Sequence, residues 1–352
     1  MHAQLPSLLP LVCPACRART GRGREMHTLS LDAIVRGGAN NGDEVEEGAL
    51  ACDNRSCGRR YPIVDGIPII VRDAAAHLSR FGIGVVAGEM HPSTAALLAE
   101  AGPDDAPWPQ LVEHLSTYLD AHWGDRATPA PDGPTAPFGM EALASALAAR
   151  AVAPVARAVE LGCGVGRGLY ELARGATLTV GVDLQLASLR RARRLLAGGA
   201  LGYARRVAGR HYVTATVAPP PPPPPSTVAL ICADAMDPPL VPGAFDRVAA
   251  LNLLDAAIAP PQILAVADGL CAAGGELVLA SPYAWHSGVV AEEHRFGGAD
   301  PAAALRRRLL AGDELEAVYA VEEEAELPWS LRRDARSAVH YRVHWLRARK
   351  PR

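Results

Sequence analysis

The chain has 352 residues, 49% of them hydrophobic, and a formal net charge of −3. That is enough for about two domains and a sizeable core, and it excludes the overall basic field that draws in nucleic acid. No apolar run reaches the ~18 residues of a membrane-spanning helix, and seven cysteines, four in two close pairs, suit a reducing, cytoplasmic setting with a metal better than disulfides.

Residues 5–12 are short, apolar and broken by Pro6 and Pro10. They read as a strand leading into Cys13 rather than as a secretion signal. Cys13-Pro14-Ala15-Cys16 is a CxxC pair, and Cys52 and Cys57 form a wider one. Zinc sites accept such spacings, which makes Cys13, Cys16, Cys52 and Cys57 candidate ligands of one tetrahedral ion. The alternatives are unrelated thiols or a redox CxxC, which ordinarily sits as one pair in a βαβ setting. A site of four thiolates has no open position, so the metal would be structural. Residues 17–51 are rich in glycine and charge and read as a surface excursion, with His27 as a second-choice ligand. Beyond them, Tyr61-Pro62-Ile63-Val64-Asp65-Gly66-Ile67-Pro68-Ile69-Ile70 sets apolar runs on either side of Asp-Gly, a hairpin signal. In motif order, residues 8–72 resemble the small zinc-binding activator subunit that partners eukaryotic tRNA, rRNA and release-factor methyltransferases. The cysteine pair is wider here and the insert longer. The resemblance implies a module that covers an apolar face of a catalytic partner, in this case in cis.

Residues 93–101 and 110–123 carry apolar positions at helical spacing, with Pro103, Pro107 and Pro109 between them. Such helices either wall a substrate pocket or form a packed linker. Residues 128–139 read as a Pro/Gly-rich loop or hinge and 139–152 as an alanine-rich helix. Val159-Glu160-Leu161-Gly162-Cys163-Gly164-Val165-Gly166-Arg167 then reads as strand end, glycine turn and helix start, the first half of a nucleotide-binding βαβ unit. The run is E-x-G-x-G-x-G, not the G-x-G-x-x-G of dinucleotide folds, and Glu160 suits an ammonium and a cationic sulfur better than a phosphate. Residues 180–183 and 228–235 read as strands with acids at their ends, and 245–252 and 275–282 as the fourth and fifth strands. One acid after a strand is often a helix N-cap, but chance accounts poorly for four such signals in order. The pattern resembles S-adenosylmethionine-dependent methyltransferases of the Rossmann-like class. It implies an α/β fold with a seven-stranded, mostly parallel sheet and helices on both faces, beside a small zinc-binding α+β domain. It assigns cofactor contacts to Glu160, Gly162, Gly164 and Gly166, the ribose to Asp183 with Leu184 beside it, and the adenine to Asp234 and Ala235. Asn252 falls near the transferable methyl.

Residues 186–196 read as a helix whose Arg190, Arg191, Arg193 and Arg194 form a solvated face. Residues 205–217 read as an added strand or hairpin, and 219–225 as a polyproline spacer. Leu253 follows Asn252 where amide and adenine-amine methyltransferases carry Pro-Pro-aromatic, which argues against those chemistries. Asn252-Leu253-Leu254-Asp255, Ser281-Pro282-Tyr283-Ala284-Trp285, Gly297-Gly298 and Pro328-Trp329-Ser330-Leu331-Arg332 resemble, over about residues 155–350 in motif order, the mercaptohistidine methyltransferases of the ovothiol type. His286-Ser287-Gly288 stands where that family has two acids. The resemblance implies a small-molecule acceptor with a nitrogen or sulfur nucleophile, a histidine derivative among the candidates, in a pocket closed by residues 285–298 and Trp329. Asp255, Tyr283 or His286 could take a proton there. Cys163, Cys232 and Cys271 read as inert core thiols. An RNA or protein methyltransferase and a non-catalytic scaffold are the other readings. The expected domains are a zinc module over 1–73 packed on its neighbour in cis, a helical segment and linker over 74–138, and a catalytic domain over 139–352, with no membrane or nucleic-acid partner.

Overall fold

The computed structural model describes residues 1–2, 5–19, 26–37, 44–130, 139–222, 227–285 and 288–352. His286, most of the 128–139 loop and the end of the polyproline run lie outside them. The chain begins with α1 (Leu5–Leu8) and α2 (Pro14–Arg19), then β1 (Leu29–Gly37), β2 (Val45–Cys52), β3 (Arg60–Val64) and β4 (Ile67–Pro68). Residues 5–12 are therefore a helical turn rather than a strand. Pro6 fits a first helical turn, where its missing N–H costs nothing, and only Leu11 and Val12 make bridges, to Leu240 and Thr28. The supposed surface excursion is also more ordered than expected. β1 and β2 pair antiparallel within it, and β3 and β4 complete a four-stranded sheet. Asp65 and Gly66, at φ 49° and 72°, make the tight hairpin turn that Asp-Gly announces.

Three helices follow: α3 (Ala74–Val86), α4 (Pro92–Ala101) and α5 (Pro107–Trp123). Pro107 and Pro109 do not separate helices; they open α5, where proline is tolerated. The rest runs β5 (Ala127–Thr128), α6 (Glu141–Ala148), β6 (Val155–Leu161), α7 (Arg167–Ala173), β7 (Ala176–Asp183), α8 (Leu186–Leu196), β8 (Leu201–Ala208), β9 (His211–Val217), β10 (Thr227–Cys232), β11 (Phe245–Leu251), α9 (Pro260–Leu270), β12 (Cys271–Ser281), α10 (Pro301–Ala311), β13 (Ala320–Arg332) and β14 (Ala338–Arg349). The large sheet has the order β10-β7-β6-β11-β12-β14-β13. Its first five strands are parallel, and β14 and β13 add an antiparallel hairpin.

Both faces of the sheet are covered, as a parallel sheet requires. On one face Leu143 and Leu147 of α6 and Leu172 of α7 pack on Ala158, Ala249 and Val278. On the other, Ile263 of α9 and Leu305 of α10 share a cluster with Val159, Val248 and Leu277. Leu5, Leu9, Leu11 and Leu50 of the cysteine-bearing module belong to that same cluster, so the module covers an apolar sheet face in cis. It also protects the sheet's edge, where Ile70 N–H donates to the Cys232 carbonyl at 2.8 Å.

The arginines of α8 are not a solvated face. Arg190 is 7% exposed. It donates to Asp65 at 2.7 Å and to the carbonyls of Gly84, Val85 and Ala87 at 2.7–3.0 Å. Arg191 donates to Ala187 within α8, Arg193 pairs with Glu44, and Arg194 pairs with Glu89. The physical reason is position: α8 lies beside both β4 and α3, so its charges meet acids and helix-end carbonyls before they meet water.

Candidate active site and cysteine cluster

Gly162, Gly164 and Gly166 have φ of 72°, 53° and 87°, which a Cβ would strain. Glu160, just before them, is 1% exposed and points beneath α7. Gly168 makes that possible, since a Cβ there would lie 2.3 Å from Glu160 Oε1. Glu160 Oε2 has no hydrogen-bond partner among the described residues. Burial, and then the neighbouring Asp183 charge, push the Glu160 carboxyl well above its ordinary range. Asp183 ends β7 and accepts from Gly164 N–H at 2.9 Å and Gln185 N–H at 2.8 Å. Burial raises its pKa also, against those donors. Leu184 and Asp234 face a cavity of about 410 Å³ whose opposite wall is Val71, His77 and Phe81. Asp234 Oδ1 accepts from Met236 N–H at 2.8 Å, and Ala235 is buried beside it.

α5 roofs the glycine turn. Trp123 Nε1 donates to the Val165 carbonyl at 2.8 Å, and Arg167 donates to the His122 carbonyl at 3.1 Å and to Asp125 at 2.9 Å. His114, Tyr118 and His122 lie four residues apart and share one helical face, with ring centroids 4.5 Å and 6.2 Å apart. The His122 ring rests over Gly164, and its Nδ1 is buried without a partner among the described residues. Burial, then Arg167 and His114, lower the His122 pKa to about 3, so the ring is neutral. Tyr118 is raised to about 12 by burial and then by the Asp255, Asp183 and Tyr341 charges. None of this face was singled out from the sequence, although the spacing of four in 114, 118 and 122 was a signal for it.

At the ends of β11 and β12, Asn252, Tyr283 and Trp285 have φ of 52°, 51° and 37°. Left-handed backbone at non-glycine residues is costly and concentrates where function holds it in place. Asn252 N–H donates to the Ala280 carbonyl at 2.8 Å, while its side-chain Oδ1 is buried without a partner among the described residues. Asp255 is 4% exposed and accepts from Ser281 Oγ at 3.1 Å and Ala284 N–H at 3.3 Å. Ser281 Oγ in turn accepts from Tyr283 N–H at 3.1 Å, which braces the turn that carries Tyr283. Trp285 packs edge-on against Phe296. Trp329 packs with Met140 and Val343 and stacks on Tyr341 at 5.1 Å, so it stands behind that ring.

In the N-terminal module the sulfurs of Cys13, Cys16, Cys52 and Cys57 all lie within 4.8 Å of one another. Cys13 to Cys57 is 3.9 Å and Cys16 to Cys52 is 3.7 Å. Tetrahedral coordination with metal–sulfur bonds of about 2.3 Å needs sulfurs about 3.8 Å apart. Disulfides are excluded at this separation. Tyr61 Oη and Asn54 Nδ2 lie at 3.1 and 3.6 Å from the sulfurs of Cys13 and Cys16, as partners for thiolate charge. His27 is outside the cluster and pairs with Asp53 at 3.5 Å. The other three cysteines are buried. Desolvation raises Cys163 well above its ordinary value and Cys232 and Cys271 to about 12, which leaves them unreactive.

Residues 159–279 match the family model of a methyltransferase domain. The chain carries a methyltransferase domain. Residues 10–66 match the model of Trm112p-like proteins, so a Trm112p-like module and a methyltransferase domain lie in one chain. Among solved structures it is similar to the N-methyltransferase NodS from Bradyrhizobium japonicum WM9 in complex with S-adenosyl-L-homocysteine, at 17% identity and a TM-score of 0.42, over 74% of this chain and 98% of that one. It is also similar to magnesium protoporphyrin IX methyltransferase from Synechocystis PCC 6803 with bound S-adenosylmethionine, at 15% identity and a TM-score of 0.39, over 79% and 99% of the two chains. No curated protein matches this chain. No helix among its described residues is long and apolar enough to cross a membrane.

Proposed function

We propose that this enzyme methylates a nitrogen or sulfur of a small molecule, a histidine derivative being the first candidate, and that its N-terminal module holds one structural zinc ion. The observation that carries the reading is the set of buried polar atoms without partners around the glycine turn: Glu160 Oε2, His122 Nδ1 and Asn252 Oδ1. Buried polar atoms are ordinarily paired, so these three support a reading in which a bound polar ligand would complete them. S-adenosylmethionine, when bound, supplies an electrophilic methyl on a sulfonium. Glu160, Gly162, Gly164 and Gly166 would hold its amino-acid end and sulfur side, Asp183 with Leu184 the ribose, and Asp234 with Ala235 the adenine. Asn252 would orient the acceptor beside the methyl. Methyl transfer is an in-line displacement, so the protein's main task is to align donor and nucleophile. α5 keeps water from the strand ends, and the tyrosines near Asp255 give a compact, partly apolar acceptor its walls. Cys13, Cys16, Cys52 and Cys57 would hold the zinc with no position left for chemistry.

The Trm112p-like match favours one rival, an RNA or protein substrate. Labelled S-adenosylmethionine offered with total RNA, with protein and with a small-metabolite extract containing thiol-histidines separates the readings. The proposal expects label in a small product. Label confined to RNA and lost as salt is raised, or confined to protein, overturns it.

A further inference from the structure

Tyr283 does not stand alone. Its Oη lies 2.8 Å from His344 Nδ1, and His344 Nε2 lies 3.0 Å from Glu324 Oε1. The two rings are stacked with centroids 5.9 Å apart, and His344 is 4% exposed. The three residues come from different places: the turn after β12, the middle of β14 and the edge strand β13. The register brings them together, since His344 is opposite Ser281 on one side and Glu326 on the other.

The donor and acceptor roles follow from the chemistry. A carboxylate only accepts, so Glu324 requires the proton of His344 on Nε2. Nδ1 is then a lone pair, and Tyr283 must donate to it. A tyrosine whose hydroxyl proton is committed in this way presents the free lone pairs of Oη to whatever sits beside it. This is the arrangement by which a histidine oriented by a carboxylate activates a hydroxyl.

We propose that Tyr283, His344 and Glu324 form a proton relay for the methyl acceptor, with Tyr283 as the catalytic residue and His344 and Glu324 as positioning residues. The proposal rests on the reading that the acceptor sits at the ends of β11 and β12. As the bond from the acceptor nitrogen or sulfur to the methyl forms, the methyl–sulfonium bond breaks and its electron pair stays on the donor's sulfur. The acceptor's proton passes to Tyr283 Oη while the hydroxyl proton passes to His344 Nδ1. The imidazolium so formed is paired with Glu324. The proton leaves through the Glu324 side, whose side chain is 32% exposed. Tyr283 never has to become a free phenolate, which its surroundings oppose: burial, then Glu326, Asp255, Glu324 and Asp300, push its pKa up. On this face Arg306 lies 3.5 Å from Glu324 and Arg342 lies 3.3 Å from Glu326.

The test uses the full chain labelled with ¹⁵N-histidine and saturated with S-adenosylhomocysteine. The relay predicts that the neutral His344 ring carries its proton on Nε2 and that Tyr283→Phe shifts its Nδ1 resonance. His344 as the Nδ1–H tautomer, or an Nδ1 resonance blind to Tyr283→Phe, overturns the relay even if no acceptor is found. In a second arm the probes are imidazole and 4-mercaptoimidazole with labelled S-adenosylmethionine. Tyr283→Phe and His344→Ala should lower kcat for imidazole about 100-fold or more, the scale of general-base loss, with KM little changed. The thiol probe at a pH where it is already a thiolate should lose far less. Glu324→Gln should displace the acidic limb of the imidazole pH profile, and Glu324→Asp should restore part of it. Equal losses for both probes make the three residues structural and overturn the proposal. If the wild type methylates neither probe, the small-molecule reading loses these acceptors, and the resonance arm alone decides the relay.

Discussion

Replacing Arg190 with Met tests whether the α8 arginines clamp the modules together. The guanidinium donates to three carbonyls at or just beyond the last turn of α3, Gly84, Val85 and Ala87, and to Asp65 in the hairpin of the N-terminal module. Helix-end carbonyls have no partner within the helix, and Arg190 caps them. Methionine keeps the packing of the stem and removes every donor. Asp65 is 39% exposed on its side chain, so water replaces much of that pairing and it adds little. The carbonyls dominate. An orphaned buried acceptor costs about 1–3 kcal/mol, and since a helix end relaxes toward water, the three together should cost about 3–5 kcal/mol. Lysine, which lacks the forked donor geometry, should recover only part. Urea unfolding followed by tryptophan fluorescence measures the loss, and hydrogen exchange should show it first at the end of α3 and at Gly66. A loss below about 1 kcal/mol for Arg190→Met, within the range of ordinary surface changes, refutes the clamp.

Two further outcomes are expected. Elemental analysis should find about one zinc per chain, and its removal by chelator should weaken S-adenosylhomocysteine binding. Arg17, next to Cys16, and Arg72 both pair with Asp237, which closes the turn that carries Asp234. Unchanged affinity in the metal-free chain contradicts that link. The second outcome concerns Glu160. Its folded pKa is raised, so the folded cofactor-free chain holds a proton that the unfolded chain releases. Stability should fall as pH rises from the ordinary carboxylate value of about 4.3 toward the raised value and level off above it. Melting temperature against pH should lose that slope in Glu160→Gln, and a parallel slope in both chains counts against it.

The parts of this structure legible in the sequence were those that chain-local chemistry dictates. The glycine turn, the acids after β7 and β10, the Asp65-Gly66 hairpin and the two cysteine pairs each need particular residues at fixed spacing. What was missed depends on partners far away in the chain. A run of arginines looks the same whether it faces water or caps a helix a hundred residues earlier, so Arg190 was misjudged. Tyr283 was noticed, but His344 is 61 residues further on and meets it only through the register of β12 and β14. The face of α5 with His114, Tyr118 and His122 was hidden for another reason. Histidine and tyrosine suit a half-exposed helix equally well, and contacts far along the chain, the latches from Trp123 and Arg167 among them, turn that face onto the glycine turn. The start of the chain misled through its apolar content, since Pro6 permits a helical turn as readily as a broken strand.

The central claim is that a methyl donor binds over the glycine turn between Glu160 and Asp183. Calorimetry with S-adenosylhomocysteine on the full chain tests it most directly. The wild type should bind one equivalent, and Asp183→Ala should lose about 1.5–3 kcal/mol, the scale of a hydrogen bond to a charged group, while thiol titration and melting show the fold intact. No binding by the wild type, or equal binding by a folded Asp183→Ala chain, would contradict it.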